Sequence, residues 1–304
     1  MKLYIIGNGF DIAHKLPTQY WDFRTYLERR DCDFLHAFEQ QYSIYPNMSE
    51  IEKKNLLWNE FETNLANIDE DVIIENALSI EMGLETGDVG IEDTLYEYFT
   101  EEYDYIKNLA LYLKRWVRTI RIRDTLPKVS MIHKSNKDLY INFNYTATLE
   151  NVYGISDASV IHIHGSLRGY TDNPVLGHGN IARIDAIEEK QKRAEEHYNE
   201  KEISICRVVK DYYRTTFKDT NRYMYKLQRI ANENISEIIV AGHSITGIDM
   251  PYFSNIDLLS GKNVNWTIVW FDSTKKDMMR QSLIDAGIDG DRIQLKPANE
   301  FYDL

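Results

Sequence analysis

Cysteine is nearly absent from this chain, with only Cys32 and Cys206 among 304 residues. The two thiols stand far apart with no C-x-x-C spacing, which excludes a zinc ribbon and a disulfide framework and fits a reducing compartment. No metal is expected. Proline is scarce too, with six residues, and no Gly/Pro-rich linker, repeat or low-complexity tract divides the chain. No stretch approaches the ~20 consecutive apolar residues of a membrane span, and the first residues read as a strand rather than as a basic and then apolar leader. A cytoplasmic protein with no membrane partner is the expectation. Basic residues are in deficit: 35 Lys and Arg against 48 Asp and Glu leave a net charge of −13. That average field repels nucleic acid. The local exception is Lys114, Arg115, Arg118, Arg121 and Arg123, a cluster read first as complementing the negative end of a helix.

Six short apolar runs stand out, at 2–6 (KLYII), 138–143 (DLYINF), 159–163 (SVIHI), 236–241 (SEIIVA), 265–271 (NWTIVWF) and 292–296 (RIQLK). Each is β-branched or aromatic and is followed by polar turn residues. Apolarity that is continuous rather than alternating predicts a parallel sheet with helices on both faces, so the fold class is an α/β, Rossmann-type sheet of about six strands. Between the strands the pattern is helical. Ser49 with Glu52 forms a capping box ahead of a helix running to about residue 68, and 92–122 reads as one long amphipathic helix. A single α/β domain over 1–304 is expected, with helical insertions at about 20–130 and 182–232 packed on the sheet. Their tyrosine-rich stretches suit a half-buried helix or a homo-oligomer contact.

The first run leads directly into Gly7-Asn8-Gly9-Phe10-Asp11 and a helix. Glycines at 7 and 9 remove the Cβ atoms that block a close backbone approach, and a helix start offers N–H groups to an anion, so this junction is read as a phosphate cradle. Position 12 is Ile12, which breaks the G-x-G-x-x-G fingerprint of ordinary dehydrogenases. Three more strand ends carry polar groups: Asn142 to Thr146 after the second run, His162-Ile163-His164-Gly165-Ser166 after the third, and Gly242-His243-Ser244 with Asp249 after the fourth. In a doubly wound sheet ligands bind outside the carboxyl ends of the strands, so these junctions converge on one edge. His162 and His164 both close the third run, and His164, beside its Gly-Ser, is the one expected to face a shared site.

These motifs resemble the sirtuin-like superfamily and, within it, the AbiH family of phage abortive-infection proteins. Gly7 to Asp11 stand where sirtuins have Gly-Ala-Gly-Ile-Ser, and Leu16-Pro17 are similar to their Ile-Pro. Asn142 to Thr146 resemble the segment with the functional asparagine, His164-Gly165-Ser166 the segment with the catalytic histidine, and Gly242-His243-Ser244 the loop that meets the dinucleotide. The longer strings GNGFDIAHKLPTQY, NFNYTATLE, HIHGS and GHSITGIDMPYF suggest AbiH itself. The resemblance implies a dinucleotide ligand, NAD, held by Gly7, Asn8, Gly9, Phe10, Asp11, Pro17, Tyr145, Gly165, Gly242, His243, Ser244 and Asp249. Asn144 and His164 are its implied catalytic pair. The zinc-binding cysteines of deacylating sirtuins have no counterpart, so cleavage of NAD is implied rather than protein deacylation. Asp11 replaces a serine near the phosphates, where a carboxylate must turn away to cap the helix or meet a ribose hydroxyl.

Breaking the nicotinamide–ribose bond forms an oxocarbenium-like sugar and releases a neutral base, so a strong acid is not required. A histidine near pKa ~6.5 can serve as base for water or for a ribose hydroxyl. Asn144 can orient the sugar without trapping its cationic ring in an ion pair. An anti-phage NAD hydrolase, triggered by a phage signal not named in the sequence, is the leading reading. A nucleotide sensor without turnover and a nucleic-acid-acting effector are the alternatives.

Overall fold

The computed structural model describes residues 1–70, 105–135, 137–166 and 174–303. The chain divides into two compact units, one comprising Met1–Gln19, Leu113–Val175 and Asp219–Leu304, the other Tyr20–Tyr112 and Leu176–Lys218.

The first unit is the α/β body. Six parallel strands, β1 (Lys2–Ile6), β2 (Leu139–Asn142), β3 (Val160–His162), β4 (Glu237–Ala241), β5 (Asn265–Trp270) and β6 (Ile293–Pro297), lie in the order β3-β2-β1-β4-β5-β6. Each coincides with one of the six apolar runs, and the α/β reading holds. In this order the chain reverses its winding between β1 and β4, the switch point at which loops part toward opposite faces and leave a crevice. Both faces of the central strands are buried, which is why their sequences do not alternate. Leu3, Ile5, Leu139, Ile141, Ile238 and Val240 point into one core. Helix residues Tyr252, Phe253 and Ile256 and residues Leu227 and Ile230 of a 3-10 segment (Thr220–Asn232) share that core. Tyr4, Tyr140, Ile6, Ile239 and Ala241 point into the other, with Phe10, Leu149 and Tyr302. Tyr4 stacks on its register partner Tyr140 with ring centroids 5.2 Å apart. Each such fully buried side chain contributes roughly 1.5–3 kcal/mol, so the central strands anchor the junctions at their ends. Those junctions lead into α1 (Asn8–Ala13) after β1, α2 (Thr148–Tyr153) after β2, α3 (Met250–Leu259) after β4 and α4 (Lys276–Asp285) after β5.

The second unit is helical in its described residues. The capping box forms: the Ser49 amide donates to Glu52 Oε2 at 2.8 Å, and the Glu52 amide donates to Ser49 Oγ at 3.3 Å. The helix it opens does not run unbroken to residue 68. It passes from Glu50–Lys53 into a π-helical turn (Lys54–Trp58) and resumes at Phe61–Asn64. The wide turn accompanies the stacking of Trp58 on Phe61, with centroids 4.9 Å apart, a packing demand that periodicity does not carry. The long helix expected over 92–122 is seen as Tyr105–Thr119, its earlier part lying outside the described residues. The second insertion forms helices Ile181–Glu196 and Glu200–Thr215, separated where Tyr198 takes a positive φ and Asn199 caps the second helix. Among the described residues no helix is long and apolar enough to cross a membrane.

Candidate functional site at the strand ends

At the switch point, the loops after β1 and β4 interlock through backbone. The Gly7 amide donates to Ala241 O at 3.1 Å, the Gly9 amide to Gly242 O at 2.7 Å, and the Phe10 amide to Gly7 O at 2.9 Å. A Cβ on Gly9 would lie 2.8 Å from Gly242 Cα, and one on Gly7 would lie 2.7 Å from Gly242 O. Gly242 has φ +73°, and a side chain there would come 2.1 Å from the Phe10 nitrogen. The glycines are thus required by the approach of one loop to the other, before any ligand is considered. A side chain at position 9 meets the Gly242 backbone first, so a bulky substitution there probes the fold as well as a phosphate cradle.

Asp11 turns inward. It is fully buried on α1 and accepts hydrogen bonds from the Thr146 hydroxyl and, at 2.7 Å, from the Thr148 hydroxyl. Burial pushes its carboxyl up to about 6, against the opposing pull of the Thr146, Thr148 and Asn144 hydrogen bonds. The carboxylate therefore binds α1 to the loop after β2. Asn8 Nδ2 donates to Thr18 O at 2.8 Å and closes the segment that contains Pro17. Phe10 is a core residue, its ring 4.5 Å from that of His14.

After β2, Asn142 shapes the turn by accepting the Asn144 amide at 3.0 Å and donating to Thr146 O at 3.1 Å. Asn144 Nδ2 donates to Gly7 O at 3.1 Å and also supports Asp11. Its amide group thus holds the first loop, and Oδ1 is the atom left to accept from a substrate. The Tyr145 hydroxyl donates to Val175 O at 2.7 Å.

The two histidines of the third junction diverge. His162 Nε2 lies 2.7 Å from Glu150 Oε1 on α2, while His164 Nε2 lies 3.5 Å from Asp249 Oδ1. Gly165 makes the turn at φ +88°. On the far side of the same carboxylate, His243 Nε2 lies 3.4 Å from Asp249 Oδ2. His243 Nδ1 accepts the Ile245 amide at 3.0 Å, so in its neutral form the ring carries its proton on Nε2, facing Asp249. Phe143 presents edge contacts to both imidazoles, with centroids 5.4 Å from His164 and 4.6 Å from His243. Tyr252 lies beside His164 at 5.8 Å. Ser244 stays at the exposed rim, accepting from the Thr246 hydroxyl at 3.2 Å.

The structure therefore brings together His164, His243 and Asp249, with Asn144 holding the neighbouring loop, whereas Asp11, Phe10, Asn8 and Tyr145 serve the scaffold in the contacts seen. Sequence reasoning missed Phe143 and Tyr252 as walls, although both lie within the quoted motifs. It also missed Thr146 and Thr148 as the partners of Asp11, whose spacing of two after Asn144 was the available signal. Among the described residues no group of three or more His, Cys, Asp or Glu side chains is arranged to hold a metal.

Compared with known proteins, the chain matches the family model described as bacteriophage abortive infection AbiH over residues 3–270. No curated protein and no solved structure matches it.

Proposed function

Because the chain belongs to the AbiH family, and with it to an anti-phage abortive-infection role, we propose that it acts by cleaving the nicotinamide–ribose bond of NAD at the strand-end cluster. The observation that carries this reading is the convergence of His164, His243 and Asp249 at the carboxyl edge of β3 and β4, beside the crevice where doubly wound sheets bind nucleotides. In the reaction the C1′–N bond breaks and its electron pair leaves with nicotinamide, which becomes neutral. Water bonds to C1′, and its proton passes to His164. Asp249 orients the imidazole and stabilises the imidazolium, the part a carboxylate plays beside a catalytic histidine. Asn144 Oδ1 orients a ribose hydroxyl or the water. The sirtuin-like motif order supports the same assignment of Asn144 and His164.

The test is nicotinamide release from NAD by the full chain, in phage-challenged cell extract as well as in buffer. His164→Ala and Asp249→Asn are each expected to lower the rate by ~10²-fold or more, while His162→Ala, whose ring faces Glu150, keeps most of it. Full activity in His164→Ala would remove the base from the mechanism. The amides of Gly7, Gly9 and Phe10 are engaged within the loops and offer no hydrogen bond to a phosphate, contrary to the expected cradle; the second reading keeps the crevice without the chemistry, a nucleotide being bound and sensed without turnover. Calorimetric binding of NAD with no nicotinamide released under either condition would establish that reading instead.

A further inference from the structure

A cleft of about 580 Å³ opens beside the C-terminal end of α1, between residues 14–17 and the segment 116–128. None of Asn144, His164, His243 and Asp249 lines it. We infer that this cleft binds a small organic anion with an apolar or aromatic body.

Charge is the first ground. Lys15, Arg121 and Lys128 line the cleft against a single acid, Asp124, in a chain whose net charge is −13. None of the three cations is ion-paired among the described residues. Three like charges converge on a concave surface only at a cost in repulsion, which an anion relieves.

Backbone is the second. Lys15 takes φ +61° immediately after α1, where its amide donates to Ile12 O at 2.8 Å and the Leu16 amide donates to Asp11 O at 3.0 Å. This is the left-handed closure of a helix, a place that favours glycine because a Cβ is strained there. A strained residue whose side chain lines a cleft points toward a use for that side chain.

The floor and walls define the rest of the ligand. His14 is buried at the floor with both ring nitrogens engaged, Nδ1 donating to Phe10 O at 2.7 Å and Nε2 accepting from the Tyr153 hydroxyl at 2.6 Å. Burial, with the nearby Lys128 charge, holds this imidazole below its ordinary pKa. The floor is therefore neutral and the cations stand at the rim. Pro17, Ile120, Leu126 and Trp116 supply apolar surface, with Leu126 75% exposed. A volume of this size suits a small-molecule site. A rim of cations around apolar walls suits a carboxylate or phosphate monoester on a ring, such as a nucleoside monophosphate.

Calorimetric titration of the full chain with inorganic phosphate, benzoate and adenosine monophosphate tests the inference, which does not depend on any turnover of NAD. At least one organic anion is expected to bind about tenfold or more tightly than phosphate, with an affinity that falls as salt rises. Lys15→Gly and Arg121→Gln should each weaken that binding several-fold. Lys15→Gly should keep or raise the melting temperature, since glycine relieves the strain, so weaker binding in that variant cannot be ascribed to unfolding. His164→Ala should leave the binding intact, which separates this cleft from the strand-end site. Binding unchanged in both cleft variants but lost in His164→Ala would overturn the inference, as would binding of none of the three anions at millimolar concentration.

Discussion

Each unit ties a buried carboxylate to an arginine and an indole, Glu39 in the helical unit and Asp257 in the sheet unit, and the carboxyl edge of the sheet departs from that pattern. In the helical unit the buried charges are closely paired: Arg24 Nε lies 2.7 Å from Glu39 Oε1, the Trp58 indole donates to the same oxygen at 2.8 Å, and Lys218 lies 2.7 Å from Glu62. Tyr20 donates to the other oxygen of Glu62 at 2.6 Å. At the carboxyl edge of the sheet, one carboxylate instead stands 3.4–3.5 Å from two imidazoles. Close pairing commits a polar group to the fold, and a contact of 3.4–3.5 Å is longer than a well-made hydrogen bond. The contrast teaches where chemistry is to be sought: at the carboxyl edge of the sheet rather than at the closely held pairs of either unit.

The largest expected effect lies in the helical unit. Glu39→Ala takes the shared buried carboxylate from the Arg24 guanidinium and the Trp58 indole and leaves Arg24 only its contact with the half-exposed Glu28, a change that costs about 3–5 kcal/mol when one partner of a buried pair is removed. Urea unfolding measures it. A loss below about 1 kcal/mol, the range of exposed pairs, would show that the pair is not closely held and would erase the contrast.

Acid sharpens the comparison, because His178 in one unit and Asp11 in the other are buried titrating groups that respond with opposite sign. His178, in the helical unit, is pushed down to about 4 by burial. A depressed histidine contributes stability that is present above its unfolded pKa, near 6.5, and is lost as pH falls toward 4, in all about 3 kcal/mol. Asp11, in the sheet unit, is raised from 3.8 to about 6. Its contribution is fully present below pH 3.8 and is lost as pH rises through 6, again about 3 kcal/mol. Between pH 4 and 6 the two slopes oppose. His178→Gln should therefore flatten the loss of stability on acidification, and Asp11→Asn should steepen it, as read from urea midpoints at pH 4.5, 5.5 and 6.5 in dilute protein. Parallel curves for wild type and Asp11→Asn would mean that the carboxyl titrates alike in the folded and unfolded chain.

The smallest effect on stability is expected at the sheet edge. Asp249→Asn keeps the shape of a partly exposed side chain whose contacts to His164 and His243 are 3.4–3.5 Å long, so its urea midpoint should shift by less than about 1 kcal/mol, even where nicotinamide release falls. A shift as large as that of Glu39→Ala would make Asp249 a structural residue and would set the two units on one footing.

Much of the sheet unit was legible in the amino-acid order. KLYII, LYIN and EIIVA are apolar on both faces because helices cover both, so each read as a parallel strand without any knowledge of its neighbours. His162 and His164 stand two apart, a spacing that would put both on one face of a continuing strand, and they part because β3 ends at His162 and His164 lies in the turn beyond it. The helical unit was less legible. The capping box at Ser49 is a local device and could be read, but the π-helical turn before Trp58 answers to aromatic packing. Asp11 posed a choice between capping and a ribose hydroxyl. Its partners, Thr146 and Thr148, lie 135 and 137 positions away, and only the pairing of β1 with β2 brings them near.

The sequence by itself determined the elements of the sheet, the polar character of its four junctions and the family, because these depend on periodicity and on motifs a few residues long. Tertiary structure alone decided that Gly7 and Gly9 accommodate the Gly242 loop, that Asp11 faces the core, and that Asp249 stands between His164 and His243. Each of these depends on strand order, which sets β1 between β2 and β4 and β3 beside β2 and brings together groups far apart along the chain. Local propensity does not encode such approaches, since they follow from the shared burial of the two faces of one sheet.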